Sequence, residues 1–381
     1  MADSPATRGL PCGGAGTGVP SPATDSAMDY ATGRSGNGTL PDGRLSSVRS
    51  AVAAVGAALG SAGVDHGDFE AVILLAWACG CETGDVRRAM LMGDTVEELL
   101  ARIVHANDDA DGDADGDANC DAEECENSSR RGYDPSEAMA RLRDAARRRC
   151  AREPLQYIVG AAPFRYLSLA VGPGVFVPRP ETETAVDLAL EWLRSARIAD
   201  TGARVVDLCA GTGAIGLSIV TELPTSQVWA VEKDDDAIVW TRRNARRILD
   251  GMPDAADRYH LVQADATDAA TLAQLDGTID AVVTNPPYIP LATPPEQPEV
   301  IDWDPHVALF GGSDDGLRIP VLLLRRIAAL LRPGGLVVME HDITQGAALR
   351  DAASRMGFVQ TRTEPDLTGR DRFLVACRDG E

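Results

Sequence analysis

From Val205 to the C-terminus, short apolar runs rich in β-branched residues alternate with stretches of helical period, and few folds accept such a chain. The runs centre near Val205, Val228, Leu261, Ala281, Leu336, Val359 and Phe373. Strands that are apolar on nearly every residue must be covered on both faces, and intervening helices supply that cover. The expected fold class is therefore α/β, a seven-stranded, doubly wound, Rossmann-like sheet whose last strand runs antiparallel. Arg332-Pro333-Gly334-Gly335 reads as the turn before the strand Leu336 to Glu340. In an open sheet of this kind ligands sit beyond the carboxyl ends of the strands. The residues that close each run therefore carry the functional signal.

The run Ala281 to Thr284 is closed by Asn285-Pro286-Pro287-Tyr288. Neither proline can donate to a sheet ladder and both fix their own φ, so the strand ends abruptly. An amide side chain is thus pinned at the rim, with an aromatic ring three residues on. The Asn285 carbonyl oxygen and the adjacent Pro286 backbone carbonyl can together accept both protons of a planar –NH2 group. Pro287 and Tyr288 would wall the pocket, the Tyr288 ring stacking on the flat group that carries the nitrogen. Such a site presents an amino or amide nitrogen to an electrophile.

The electrophile is indicated upstream. Val205 to Leu208 reads as a strand and Cys209 to Gly216 as a glycine-rich turn into a helix from Leu217 to Glu222. Gly211, Gly213 and Gly216 fit G-x-G-x-x-G, a pattern that also suits a dinucleotide pyrophosphate. The next run, Gln227 to Val231, ends in Glu232, whose carboxylate can accept both hydroxyls of a ribose. That acid serves NAD and S-adenosylmethionine equally. N-P-P-Y separates them, because hydride transfer has no use for it and methylation of an amino group does. S-adenosylmethionine is the expected cofactor. Gly211, Thr212 and Gly213 form its loop, where the absence of a Cβ on the glycines lets backbone approach closely. Asp207 either orients that loop or meets the cofactor's amino group indirectly. Asp265, with Ala266 beside it, closes the third run near the adenine, and Asn285 borders the cofactor as well.

These motifs, in this order, resemble those of the HemK/PrmC protein-(glutamine-N5) methyltransferases. The resemblance runs from about Leu45 to the C-terminus and includes Arg152 to Gly160 (REPLQYIVG), Val177 to Glu183 (VPRPETE), the glycine loop, N-P-P-Y-I, Asp304 to Leu309, and Gly311 to Leu317. N-P-P-Y alone is shared with DNA adenine methyltransferases; the P-R-P-E-T-E segment is the more selective element. The resemblance implies a methyltransferase domain acting on the glutamine of the Gly-Gly-Gln loop of peptide chain release factors. It also implies that a small N-terminal helical domain engages that protein substrate. Phe176 and the segment Pro178 to Glu183 either cover the cofactor or shape the substrate entrance, or equally brace the two domains and start the next helix, where Glu181 favours the helix N-terminal dipole. Two positions depart from the family: Ala266 is small where a larger or aromatic residue is common, and Asp304 stands where Glu is usual. A sister enzyme type that methylates a glutamine of a ribosomal protein shares these motifs, and a DNA adenine N6-methyltransferase is the more distant alternative.

Composition narrows the partners. The net charge is −22 with one lysine, Lys233, among 36 basic residues. An acidic chain is a poor grip for a phosphate backbone, so no direct nucleic-acid partner is expected. The longest apolar stretches, Ala71 to Cys79 and Val321 to Leu324, are too short to span a bilayer. No secretory signal is legible, and eight scattered cysteines fit reduced thiols in a cytoplasm. Cys79-x-Cys81 and Cys120-x4-Cys125 lack metal-ligand spacing with partners, and no metal is expected. A monomer is expected.

Residues 1–44 are rich in Gly, Ser, Ala, Pro and Thr without period, which predicts a disordered tail, untranslated if Met28 or a later codon is the start. Residues 45–150 show apolar spacings of three and four, which predicts a helical domain. Within it, residues 107–127 carry ten carboxylates and no base. Asp111-x-Asp113-x-Asp115-Gly116 resembles the opening of a calcium loop, but Ala122 stands where the bidentate carboxylate is due, so a solvated acidic insert is expected. Residues 151–180 join the halves, with a β-hairpin expected over Phe164 to Val177 around Gly172-Pro173-Gly174. The methyltransferase domain is expected over 181–381, opening on a helix from Glu181 to Ala196.

Overall fold

In the computed structural model, which describes residues 47–111, 134–196, 198 and 202–380, the spacing of threes and fours becomes five helices: α1 (Val48–Ser61), α2 (Gly67–Cys79), α3 (Thr83–Met92), α4 (Val96–Asp111) and α5 (Pro135–Cys150). The expected tail lies outside the described residues, as does the acidic insert beyond residue 111, with its calcium-like spacing. Ser47 starts α1 by accepting the Ser50 N–H at 3.1 Å, and Asp134 starts α5 with Pro135 in the first turn, both N-cap choices that satisfy otherwise orphaned amides. A short α6 (Leu155–Val159) follows. Helix α2 packs on α1, α3 and α5. It therefore buries residues all round rather than along one stripe, Ala71, Leu74, Leu75 and Ala78 completely.

The second half is one seven-stranded sheet. Its strands are β3 (Arg204–Leu208), β4 (Gln227–Glu232), β5 (Tyr259–Gln263), β6 (Ile279–Thr284), β7 (Leu331–Glu340), β8 (Phe358–Pro365) and β9 (Asp371–Arg378), in the spatial order β5-β4-β3-β6-β7-β9-β8. Strands β3 to β7 pair in parallel, and β9 runs antiparallel to both its neighbours. Alternate strand residues face opposite layers. Val205, Val228, Ala281, Val283 and Val338 pack with α7 (Glu183–Ser195) and α8 (Ala214–Glu222). Val206, Leu208, Val231, Val282 and Val337 pack with α11 (Arg318–Leu330) and α12 (Gly346–Arg355). All of β6 is buried, its apolar centre Ala281-Val282-Val283 completely. Beyond β4 comes α9 (Asp235–Leu249), and after N-P-P-Y a short α10 (Pro298–Trp303).

The chain leaves β3 outward through β4 and β5, then returns to β6 on the other side of β3. The direction of travel thus reverses between β3 and β6. The glycine loop follows β3 and N-P-P-Y follows β6, so both stand at the switch point where such sheets bind ligands.

Two expectations are corrected. The hairpin is β1 (Ala161–Phe164) with β2 (Leu167–Ala170), turning at Arg165-Tyr166 and not at Gly172-Pro173-Gly174. Arg165 takes φ +52, unusual for a residue with a side chain. Its guanidinium is fixed by Glu222 at 2.6 and 2.8 Å and by Asp187 at 2.7 Å. Gly172-Pro173 instead lies against α9, where a Cβ on Gly172 would fall 2.6 Å from the Trp240 ring, and Trp240 Nε1 donates to Pro173 O at 3.2 Å. The second correction concerns Arg332 to Gly335. Leu331 already pairs with Ile279 and Leu336 with Ala281, so the expected turn bulges out of β7 instead of preceding it.

The helical half meets the sheet domain through ions. Arg149, on α5, donates to Glu70 of α2 at 2.5 Å and to Glu299 of α10 at 2.8 Å, and Arg152 donates to Glu299 at 2.7 Å. The Arg149 side chain is only 7% exposed. Replacing it with methionine removes the cation paired with Glu70 and leaves Glu299 with Arg152 alone, and a loss of about 3 kcal/mol is expected. Urea unfolding of the variant beside wild type measures this; an unchanged midpoint would mean that solvent already screens the cluster.

Candidate active site

A cavity of about 930 Å³ opens at the carboxyl ends of the strands, lined on one side by Gly211, Thr212, Glu232, Asp265 and Ala266 and on the other by Asn285, Pro286, Pro287 and Tyr288. That volume is at the upper end for small-ligand sites and leaves room for two ligands to meet. Asp207 and Gly213, also expected at the site, do not line it; both lie behind its wall. Phe176, Pro178, Arg179, Glu181 and Thr182 line it as well.

On the glycine-loop side the chain turns sharply, with Cys209 at φ +65, Gly211 at +56 and Gly213 at +84. A Cβ on Gly211 would meet nothing within 4 Å, so that glycine answers a conformational demand. One on Gly213 would crowd Leu217, Thr241 and the Tyr259 hydroxyl at 3.0–3.1 Å, so that glycine answers a packing demand. The Gly211 N–H donates to Glu232 Oε2 at 2.8 Å, while Oε1 accepts the Lys233 and Asp234 amides at 2.8 and 2.9 Å. Backbone amides therefore fix the Glu232 carboxylate, and Oε2, with one donor, keeps acceptor capacity. Asp265 Oδ1 accepts from the Thr267 hydroxyl and amide. Those bonds, the hydroxyl first, hold its carboxyl below the usual range, so it is ionised.

Asp207 is fully buried, and its Oδ2 accepts the Gly216 N–H at 2.9 Å, which orients the start of α8. Burial pushes this carboxyl up to about 8, against the Gly216 hydrogen bond and with a further rise from the Glu232 charge. Its Oδ1 has no partner, as a largely neutral carboxyl tolerates. Of the two roles open from the sequence, the loop-orienting one matches this geometry.

On the N-P-P-Y side, Thr284 ends β6 with its hydroxyl donating to Leu208 O at 2.6 Å. Asn285 Nδ2 donates to Thr182 Oγ1 at 3.1 Å, Thr182 Oγ1 donates to Glu340 Oε2 at 2.7 Å, and the Tyr288 hydroxyl donates to Glu340 Oε1 at 3.0 Å. The backbone after Tyr288 is clamped. Gln345 Nε2 donates to both Tyr288 O and Asp315 O at 2.8 Å, and Ile289 exchanges backbone hydrogen bonds with Leu309 and Gly311. Glu340 and Arg372, which line the cavity, were not singled out from the sequence, and Thr182 was read only as part of its segment. The legible signal for Glu340 was an acid closing a strand, just as Glu232 does; that its strand lies beside β6 was not legible.

Above the cavity, Arg179 stacks over the Phe176 ring at 4.8 Å and pairs with Asp304 at 2.6 Å. The Asp304 side chain is 1% exposed. Burial raises its carboxyl to about 6, opposed by the Arg179 charge and the Val177 amide. Since the folded value lies above the unfolded one of about 4, folding takes up a proton between these values. The contribution of Asp304 to stability is therefore full below about pH 4 and falls as pH rises through about 6. Relative to Asp304→Asn, which cannot titrate, wild type is expected to lose about 2–3 kcal/mol between those limits. Urea unfolding at a series of pH values checks the slope, and parallel curves for the two proteins would contradict it.

Among the described residues no group of three or more His, Cys, Asp or Glu is placed to hold a metal ion. No described helix is long and apolar enough to cross a membrane.

Comparison with known proteins places these features. The family model for the methyltransferase small domain matches residues 167–292, from β2 past N-P-P-Y. A release factor glutamine methyltransferase of Bifidobacterium longum is 49% identical over 318 residues, covering 84% of this chain and 95% of that protein. One from Streptomyces coelicolor is 47% identical over 239 residues, covering 62% and 80%. One from Moorella thermoacetica is 35% identical over 328 residues, covering 85% and 95%.

Proposed function

Because the chain belongs to the release factor glutamine methyltransferase family, we propose that it moves a methyl group from S-adenosylmethionine to a glutamine side-chain amide nitrogen. The glutamine is that of the Gly-Gly-Gln loop of a peptide chain release factor. The observation that carries this reading is the meeting, in one cavity, of a backbone-fixed ribose acid and a strand-end amide: Glu232 and Asn285. The residues present suit the cofactor. Glu232 Oε2 retains acceptor capacity for a ribose hydroxyl, Gly211 leaves open space beside its backbone, and ionised Asp265 can accept from an adenine amino group.

S-adenosylmethionine, when bound, supplies a methyl carbon on a cationic sulfur. The chain's own task is the nitrogen. An amide nitrogen is a weak nucleophile because its lone pair is delocalised into the carbonyl, so orientation must supply much of the rate. Asn285 Oδ1 and the Pro286 carbonyl accept its two N–H protons and hold the lone pair on line. The same acceptors would stabilise positive charge on nitrogen as the N–C bond forms and the C–S bond breaks, with S-adenosylhomocysteine as the leaving group and one N–H proton passing to solvent water. Pro287 and Tyr288 wall the amide plane. The partner is thus a protein, met by a monomer in the cytoplasm, with no membrane and no nucleic acid required.

Labelled S-adenosylmethionine with purified release factor tests the reading, beside a factor whose Gly-Gly-Gln glutamine is alanine. Label on the wild-type factor alone is expected. Label on neither, with cofactor binding intact, would reject the substrate assignment and direct the search to ribosomal proteins.

A further inference from the structure

Glu340 closes β7 as Asn285 follows β6, and the two strands are neighbours. The Glu340 residue is 1% exposed, yet both its oxygens are committed, Oε2 to the Thr182 hydroxyl and Oε1 to the Tyr288 hydroxyl. A carboxylate has no proton to donate. Both hydroxyls must therefore point their protons at Glu340, and Thr182 turns its lone pairs outward. The group those lone pairs meet is Asn285 Nδ2, at 3.1 Å. An Asn amide can sit either way round with little change in shape, and only its hydrogen-bond partners choose.

We propose that Glu340 is a positioning residue for methyl transfer: through Thr182 it fixes which end of the Asn285 amide faces the cavity, and through Tyr288 it fixes the wall opposite. The inference rests on Asn285 holding the substrate amide. With Nδ2 bound to Thr182, Oδ1 is the end left to accept from the substrate –NH2. Reversed, Asn285 would offer a donor to a donor and repel the substrate amide. Burial, with a further push from the Glu181 charge, raises the Glu340 pKa, and the two hydroxyls and the Arg372 charge on β9 oppose that rise.

Glutamine at 340 keeps the shape and loses the polarity. Its oxygen can accept from one hydroxyl only, and its NH2 must donate to the other. When it donates to Thr182, the Thr182 proton is freed to point at Asn285 and the amide flips. The same loss follows from Thr182→Val, whereas Thr182→Ser retains the hydroxyl.

The test measures kcat on release factor and, separately, the cofactor dissociation constant for E340Q, T182V, T182S and the double variant E340Q/T182V. Expected are falls in kcat of about 10- to 100-fold for E340Q and for T182V, the scale of a modest misplacement of a reacting group. Cofactor affinity should stay within about threefold, since neither residue is on the glycine-loop side. T182S should retain most activity. The double variant should be little worse than either single one, because both act along one path. Wild-type kcat in folded E340Q, equal loss in T182S and T182V, or additive losses would each overturn the proposal. Should E340Q not fold, T182V against T182S decides alone. A wild-type protein that leaves release factor unlabelled would instead reject the substrate reading, so the two failures are separable.

Discussion

Asn285→Ala is expected to lower kcat for methyl transfer by about 10²- to 10³-fold while cofactor affinity changes little. The magnitude is that of removing one preorganised group from the charge-developing centre of a reaction. Three links produce it. Asn285 follows a fully buried strand, so its backbone cannot drift; the prolines after it forbid extension of that strand; and Thr182 holds its Nδ2. Alanine keeps the first two and deletes the acceptor. A substrate amide left with the Pro286 carbonyl alone can rotate off line, and rotation is costly for a weak nucleophile. Steady-state kinetics with release factor, alongside calorimetric titration of the cofactor, separates the loss in kcat from any loss in binding. A variant within about threefold of wild type would remove Asn285 from the mechanism.

Gly316→Ala is expected to be severely damaging for a single added methyl group. Gly316 has φ +70, and a Cβ there would overlap the Tyr288 carbonyl oxygen and lie 2.7 Å from Gln345 Nε2 and 2.9 Å from Ile289 C. Left-handed backbone costs a side-chain-bearing residue about 1–2 kcal/mol, and overpacking adds about 1–3 kcal/mol. A total of about 2–5 kcal/mol follows, with kcat falling as well because the displaced groups hold the backbone of Tyr288. Gly369→Ala is the control: φ is +81 and nothing lies within 4 Å of the added carbon, so backbone strain of about 1 kcal/mol is all that is expected. Equal midpoints for the two variants in urea would mean that the Gly316 loop yields without cost.

The parts of this fold that were legible are those written locally. The apolar run of β6 and the prolines behind it place Asn285 at a strand end without reference to any other segment. Likewise, β4 runs straight into Glu232. What stayed illegible was long-range. The hairpin turns at Arg165, a residue with no turn signature, because Glu222 and Asp187, 57 and 22 positions on, hold its guanidinium. Gly172-Pro173-Gly174 does turn, with the Val175 N–H donating to Gly172 O at 3.4 Å, but it joins no strand pair and packs instead on the Trp240 ring. The Glu340 relay reaches Thr182 across 158 positions and Asn285 across a further 103. No period or spacing encodes such pairs; they exist only once the strand order sets β7 beside β6. For the same reason Asp207, on β3, and Gly213, in the loop, were expected at a surface that they stand behind.

The most direct test of the central claim is to locate the transferred methyl group. Release factor incubated with this protein and S-adenosylmethionine, in the presence of ribosomal proteins and DNA as competitors, would be digested and sequenced by fragmentation mass spectrometry. The account predicts one added methyl group, on the side-chain amide of the Gly-Gly-Gln glutamine, and none elsewhere. A methyl group on a ribosomal protein, on adenine or on another release-factor residue would contradict it.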